Sequence, residues 1–171
     1  SEQAALCKVI EDSKVPFTEI VARPSNLGVG RQLISARREI FDERGYDRMV
    51  LIEDDIELSP TYLTTLLALS DWAETFGDVG TVQVWNVESG TQEQLQPHLG
   101  QVELTNRHFV TYCITKRVWN SIKDMLYAYE AHYLLNCRYS HRPHYRIRWF
   151  MRRLLKKGRT SPEGDLLNPP V

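Results

Sequence analysis

Three consecutive carboxylates, Glu53, Asp54 and Asp55, follow the apolar run Met49 to Ile52. Adjacent carboxylates repel one another unless a cation relieves them. An all-oxygen ligand set selects a hard divalent ion such as Mg²⁺ or Mn²⁺, commonly completed by phosphates of a bound substrate. A short spacer leads from the triplet to Ser59-Pro60 and a new apolar pattern. Ser suits a helix N-cap and Pro the first helical position. The acids are therefore expected where a buried strand ends and the chain turns toward a helix. In open α/β sheets that is where ligands bind.

The elements around the triplet follow from hydropathy. Residues 2 to 13 read as a helix with Ala5 and Val9 facing inward, and 15 to 22 as a strand. Arg23-Pro-Ser-Asn-Leu-Gly-Val-Gly30 is punctuated like a loop. The next helix, 30 to 44, carries Val29, Leu33, Ala36 and Ile40 on one stripe, with Arg37, Arg38 and Glu39 off it and Gly45 as its stop. Strands follow at 49 to 52, 79 to 85 and 109 to 114, and helices at 60 to 76 and 117 to 133. This alternation argues for βαβ units and a mostly parallel sheet flanked by helices, an α/β class. The chain opens on a helix where a doubly wound sheet opens on a strand, so the sheet is expected to lack its first strand.

At 171 residues a single domain, 1–171, is expected, with 137–171 as a basic helix and irregular tail. A hydrophobic share of 42% and a charged share of 25% fit a globular protein. No apolar stretch approaches the roughly 20 residues that span a bilayer. Cys7, Cys113 and Cys137 show neither metal spacing nor a disulfide framework. That favours a reducing, cytoplasmic setting. From Ala131 to Pro162 there is no Asp or Glu, but there are nine Lys or Arg, Arg138 to Arg159. Taking those nine from the net charge of -1 leaves -10 on the rest of the chain. Such a block suits an anionic partner. The readings open for 138–159 are a solvated amphipathic helix or peripheral contact with an anionic membrane, at its inner face. No recognition motif accompanies the charge, so nucleic acid is not expected as a partner.

The triplet also resembles the acidic site of phospho-acceptor receiver domains. Those need a phosphorylatable Asp some way downstream, and no Asp occurs between Asp78 and Asp124. Glycoside hydrolysis uses carboxylates that flank the scissile bond, which three acids at one turn do not.

The ordered parts, Arg23-Pro-Ser-Asn-Leu-Gly-Val-Gly, a helix, then Leu-Ile-Glu-Asp-Asp-Ile-Glu-Leu-Ser-Pro-Thr-Tyr-Leu, resemble a GT-A glycosyltransferase of family 2 type. Val84-Trp85-Asn86, followed by a loop and then a strand and helix from Phe109 to Trp119, is similar to N-acetylglucosaminyltransferases that extend mannose. The resemblance spans roughly Phe17 to Trp119 and implies a Rossmann-like nucleotide-sugar-binding fold. It implies that Asp55 contacts Mn²⁺ or Mg²⁺ and that Glu53 and Asp54 contact the ribose and donor sugar. The donor would be a nucleotide-diphosphate sugar, UDP-linked, with UDP-N-acetylglucosamine a candidate. The acceptor would be a glycan, a lipid-linked glycan or a protein. Ser25, Asn26 and Gly28 could serve the nucleotide through amides at a helix start, or simply form a turn. Trp85 could stack on a sugar ring and Asn86 bond its hydroxyls, or both could be structural.

An inverting transferase needs a base for the acceptor hydroxyl. The resemblance points to a late Asp, here Asp165, with Glu163 second; a solvated turn is the plain alternative. Two further functions stay open. One is a nucleotidyltransferase, although no Gly-rich phosphate loop follows a first strand. The other is a non-catalytic transferase-like module that docks on a membrane or partner through its basic segment.

Overall fold

The structure is a computed structural model that describes residues 2–13, 19–84, 91–98, 100–102, 111–135, 141–142 and 146–149. Three short strands, β1 (Arg48–Leu51), β2 (Thr81–Val82) and β3 (Tyr112–Thr115), form one sheet in the order β1-β3-β2. The helices are α1 (Glu2–Asp12), α2 (Val29–Arg37), α3 (Tyr62–Ala73), a single turn α4 (Gln92–Leu95) and α5 (Lys116–Tyr129). α2 and α5 each run on into a π-helical segment, Arg38–Glu43 and Glu130–Leu134. Mixed helix and sheet place the chain broadly in the α/β class. Among the described residues no helix is long and apolar enough to cross a membrane.

The sheet itself corrects the expected parallel arrangement. β3 pairs antiparallel with both neighbours, Leu51 opposite Tyr112 and Val82 opposite Cys113. β1 and β2 therefore run in the same direction, as a strand–helix–strand unit around α3 requires. They are not adjacent, because β3 enters between them from the opposite direction. Alternation of strands and helices foretells the shared direction of β1 and β2. It carries no information about a later strand wedged between them.

All four residues of β3 are buried, which marks it as the central strand. Its alternating side chains divide the core in two. Tyr112 and Ile114 point to one face and pack with Met49, Phe41, Val118 and Trp119, the last three from the α2 extension and α5. Cys113 points to the other face and packs with Tyr62 and Leu66 of α3, joined by Val50, Leu58, Val82 and Val84.

Several local expectations need correction. On α2 the buried positions are Ile34 and, seven residues on, Phe41, while Val29 is 78% exposed. Val29 is the first residue of the helix, and within its regular turns the buried position is Ile34, one residue past the expected Leu33. The turn from Arg38 is π-helical and rotates only the later residues off the 3.6-residue period, so Phe41 is buried in place of Ile40. Gly45, at φ +76°, ends this segment in the left-handed region, as a stop glycine should. α1 buries little: Ala5 is exposed and Val9 is 65% exposed, against the expected inward face. α3 begins two residues after Pro60, and the Tyr62 amide donates to the Ser59 carbonyl at 3.0 Å. Ser59 thus closes a turn and does not cap the helix. Residues 19–22 are not in a strand; the rest of the expected strand from 15 lies outside the described residues.

The helical layer over Tyr112 and Ile114 is fastened by polar groups. Trp119 is fully buried, with its ring 5.9 Å from Phe41 and 5.7 Å from Tyr127. Its Nε1 donates to Asp42 Oδ1 at 3.0 Å, Lys123 Nζ to the same oxygen at 3.2 Å, and the Tyr127 hydroxyl to Oδ2. Burial alone would raise the Asp42 carboxyl, but the donors Tyr127, Trp119 and Lys123 outweigh it and hold the pKa below the ordinary value. Burial, then the Asp42 bond, push the Tyr127 hydroxyl up to about 12.

Two outcomes follow. Trp119→Ala should cost about 3–5 kcal/mol in urea unfolding; a loss below 1 kcal/mol would show that this side chain is not in the core. Asp42 has a depressed folded pKa, so its contribution is present above the unfolded value near 4 and is lost as pH falls through the folded one. It is partly open to solvent, which screens the contribution to about 1 kcal/mol. Asp42→Asn should lower stability at pH 7 by about that much, and the gap from the parent should close below about pH 4. A gap that stays constant down to pH 2.5 would contradict the assignment.

Candidate functional site

Because β1 and β2 run the same way, both leave the sheet at one end. β3 enters at that same end through Thr111. The chain reaches Glu53 two residues after Leu51, with Asp54 and Asp55 in a turn. All three acids are exposed, and among the described residues no Lys or Arg is paired with any of them. The loop carrying them is held at both ends. β1 fixes its start, and Leu58 packs on the Tyr62, Leu66 and Cys113 cluster at its finish. The Tyr62 hydroxyl donates to the Thr111 carbonyl at 3.2 Å, which ties the start of α3 to the start of β3.

Among the described residues no group of three His, Cys, Asp or Glu side chains is arranged to hold a metal ion. The triplet therefore does not form a cage by itself. What it offers is exposed, unneutralised carboxylate oxygen on an anchored loop. That fits a hard cation held through one carboxylate, with water and ligand phosphates filling its other positions, which is how Mg²⁺ is commonly bound. Asp55 is the member expected to do this.

Ser25, Asn26 and Gly28 are exposed in the loop before α2. Asn26 Oδ1 accepts from the Gly28 amide at 2.8 Å, and Gly28 takes φ +72° as the residue preceding the helix. These are the marks of an Asx turn. No hydrogen bond among the described residues ties this loop to the triplet. The first turn of α2 lies instead against Leu134, whose Cδ1 would stand 3.3 Å from a Cβ added at Gly30. Trp85, Asn86, Glu163 and Asp165 lie outside the described residues, as do most of the basic residues of 138–159. Val84 packs beside Tyr62.

The end that carries the triplet also holds polar groups that sequence reasoning missed. The Thr111 hydroxyl is buried without a hydrogen-bond partner, and so is Gln83 Oε1. Arg37 reaches this end as well, its Nη2 donating to the Tyr112 hydroxyl. The sequence signal was slight: a polar residue inside an apolar strand run at Gln83, and an arginine beside the apolar stripe of α2.

A cavity of about 430 Å³ opens at the other end of the strands, lined by Asp47, Arg48, Glu74, Thr115, Lys116 and Arg117. Its charges are largely committed to one another. Arg117 donates to both Glu74 oxygens and to the carbonyls of Gly77 and Val79, Thr115 Oγ1 donates to Glu74 at 2.9 Å, and Arg48 pairs with Asp71. The Arg117 bond first, against burial, holds the Glu74 carboxyl below its ordinary pKa. This network joins the turn after α3 to the start of α5 and leaves little for a ligand. The acid-bearing end is the better candidate.

Comparison with protein-family models, with curated protein sequences and with solved structures finds no match to this chain.

Thr111→Val tests the geometry at the acid-bearing end. An isostere that removes an unmet buried hydroxyl should leave stability unchanged or raise it by about 1 kcal/mol. A loss of more than 1 kcal/mol in urea unfolding would mean that the hydroxyl has a partner and that the strand entry is wrongly described.

Proposed function

We propose that this chain is a metal-dependent glycosyltransferase domain that takes its sugar from a nucleotide-diphosphate donor, with a UDP-linked sugar as the leading candidate. The observation that carries this reading is the exposed, unpaired triplet Glu53-Asp54-Asp55, on a loop anchored at the end of the sheet where β1 and β2 both leave it. The likeness of the loop, helix and triplet order to family 2 GT-A enzymes supports it. In its finer form the reading includes a GT-A fold that has the reversed strand β3 between β1 and β2.

Transfer develops negative charge on the departing diphosphate. A divalent ion at Asp55 would supply the neutralising charge. Glu53 and Asp54 would orient the ribose and sugar as hydrogen-bond acceptors. Asp165 would take the proton of the acceptor hydroxyl as its oxygen attacks the anomeric carbon, which inverts that centre. Trp85 and Asn86 would hold the acceptor.

Titration calorimetry of UDP into the full chain, with Mn²⁺ and with a chelator, tests the reading. Binding should tighten with Mn²⁺, and Asp55→Ala should abolish that gain. Even outer-shell partners of a metal site contribute about 10–100-fold to affinity, so loss of a direct ligand should cost at least tenfold. UDP affinity in Mn²⁺ that is the same for Asp55→Ala and the parent would remove the basis of the proposal.

A further inference from the structure

Five arginines in the described residues pair with a carboxylate. Arg23 pairs with Glu39, Arg38 with Glu130, Arg44 with Glu19 and Glu39, Arg48 with Asp71, and Arg117 with Glu74. Arg37 does not. It is the last residue of α2 and is half-buried against the sheet. Its Nη2 donates to the Tyr112 hydroxyl, and its guanidinium carbon lies 5.7 Å from the centre of the Tyr112 ring. Both partners are neutral. Its Nε is buried and has no acceptor.

A second unmet group stands on the neighbouring strand. Val82 pairs with Cys113, so one step further Gln83 comes opposite Tyr112 and on the same face. Gln83 Oε1 is buried without a donor. The side-chain amide can turn and present Nε2 instead. Tyr112 is 4% exposed and sits between the two, opposite Leu51, two residues before Glu53.

A half-buried cation with only neutral partners has lost hydration and gained no countercharge. An oxyanion is the partner that its planar donor fork fits best. We infer that Arg37, with Gln83 and the Tyr112 hydroxyl, forms a metal-independent anchor for a phosphoryl oxygen of a nucleoside diphosphate bound at the acid-bearing end. This rests on reading that end as a diphosphate site. It adds a second hold on the diphosphate, from the opposite charge class to Asp55.

The test is UDP and inorganic pyrophosphate affinity of the full chain, in chelator and in Mn²⁺, for the parent, Arg37→Gln, Arg37→Lys, Gln83→Leu and Asp55→Ala. The parent should bind UDP weakly but measurably in chelator. Arg37→Gln should lose roughly tenfold or more in both conditions, the worth of one charge-assisted hydrogen bond. Arg37→Lys should recover part of it, and Gln83→Leu should lose a few-fold. Asp55→Ala should lose the gain that Mn²⁺ gives the parent, while the Arg37 variants keep theirs. Should Arg37→Gln not fold, Arg37→Lys and Gln83→Leu decide the matter, since each must weaken binding in chelator. Unchanged affinity in the arginine variants, or no binding by the parent in chelator, overturns the inference while a Mn²⁺-dependent gain would keep the transferase reading. Binding that depends on Arg37 but never on Mn²⁺ upholds the anchor and defeats that reading. No binding of either ligand under any condition defeats both.

Discussion

The pairing of β3 between β1 and β2 governs where everything else lies. A strand buried on both faces must satisfy its backbone groups through its two neighbours, since water is not available to do so. Tyr112 to Thr115 meet that demand along β1, and Cys113 and Ile114 meet it along β2 as well. Reversing β3 relative to its neighbours lets β1 and β2 share a direction without touching. Their carboxyl ends then emerge together, with the entry of β3 between them. The acids after Leu51, Val84 after β2, and Thr111 lie at one end of the sheet because of this one choice of strand direction. The alternation along β3 then assigns α3 to one face and the α2–α5 pair to the other.

The α2–α5 layer is held in register by charges placed at the two π-helical extensions. Arg38 opens one extension and Glu130 the other, and they are bonded to each other, with the Arg38 guanidinium 4.5 Å from the Tyr127 ring centre. Glu130 is 7% exposed, so the pair repays a desolvation cost and adds little net stability. Its effect is on register. A slip of either helix by one residue would bury one charge without the other, a large penalty that apolar packing alone would not impose. Asp42 works the same way from the first extension, collecting donors from Trp119, Lys123 and Tyr127 on successive turns of α5. Fixing α2 in this manner also fixes its last residue, Arg37, over Tyr112.

The sequence was informative where a signal is local. The apolar run before the triplet located β1, the periodicity of Leu63, Leu66 and Leu67 located α3, and Gly45 marked a real left-handed stop. It was misleading where the answer depends on long-range pairing. Nothing near Tyr112 tells that the strand runs against its neighbours. The π-helical turn from Arg38 also leaves no mark in hydropathy, so Phe41 takes the buried place expected of Ile40. The candidate site divides along the same line. The acids could be read because their chemistry is concentrated in three adjacent letters. Arg37 and Gln83 could not, because they lie 46 positions apart and only the pairing of β2 with β3 brings Gln83 toward the Tyr112 that Arg37 touches. Arg37, placed off the apolar stripe, lies against Tyr112 with no carboxylate partner.

An arginine and three carboxylates at one end of a sheet would ordinarily find each other, and here they do not. The carboxylates are exposed, so water screens them, while Arg37 is half-buried beside Tyr112. Between unit charges in water the interaction falls to about 0.4 kcal/mol per pair by about 10 Å, and physiological salt reduces it further. On the proposed reading, a hydrogen bond from Arg37 to a diphosphate, about 1.5–3 kcal/mol for a charged group, would outweigh screened repulsion from the triplet at that range. A divalent ion at Asp55 would then add attraction from the other side. A direct salt bridge between Arg37 and the triplet would have cancelled both.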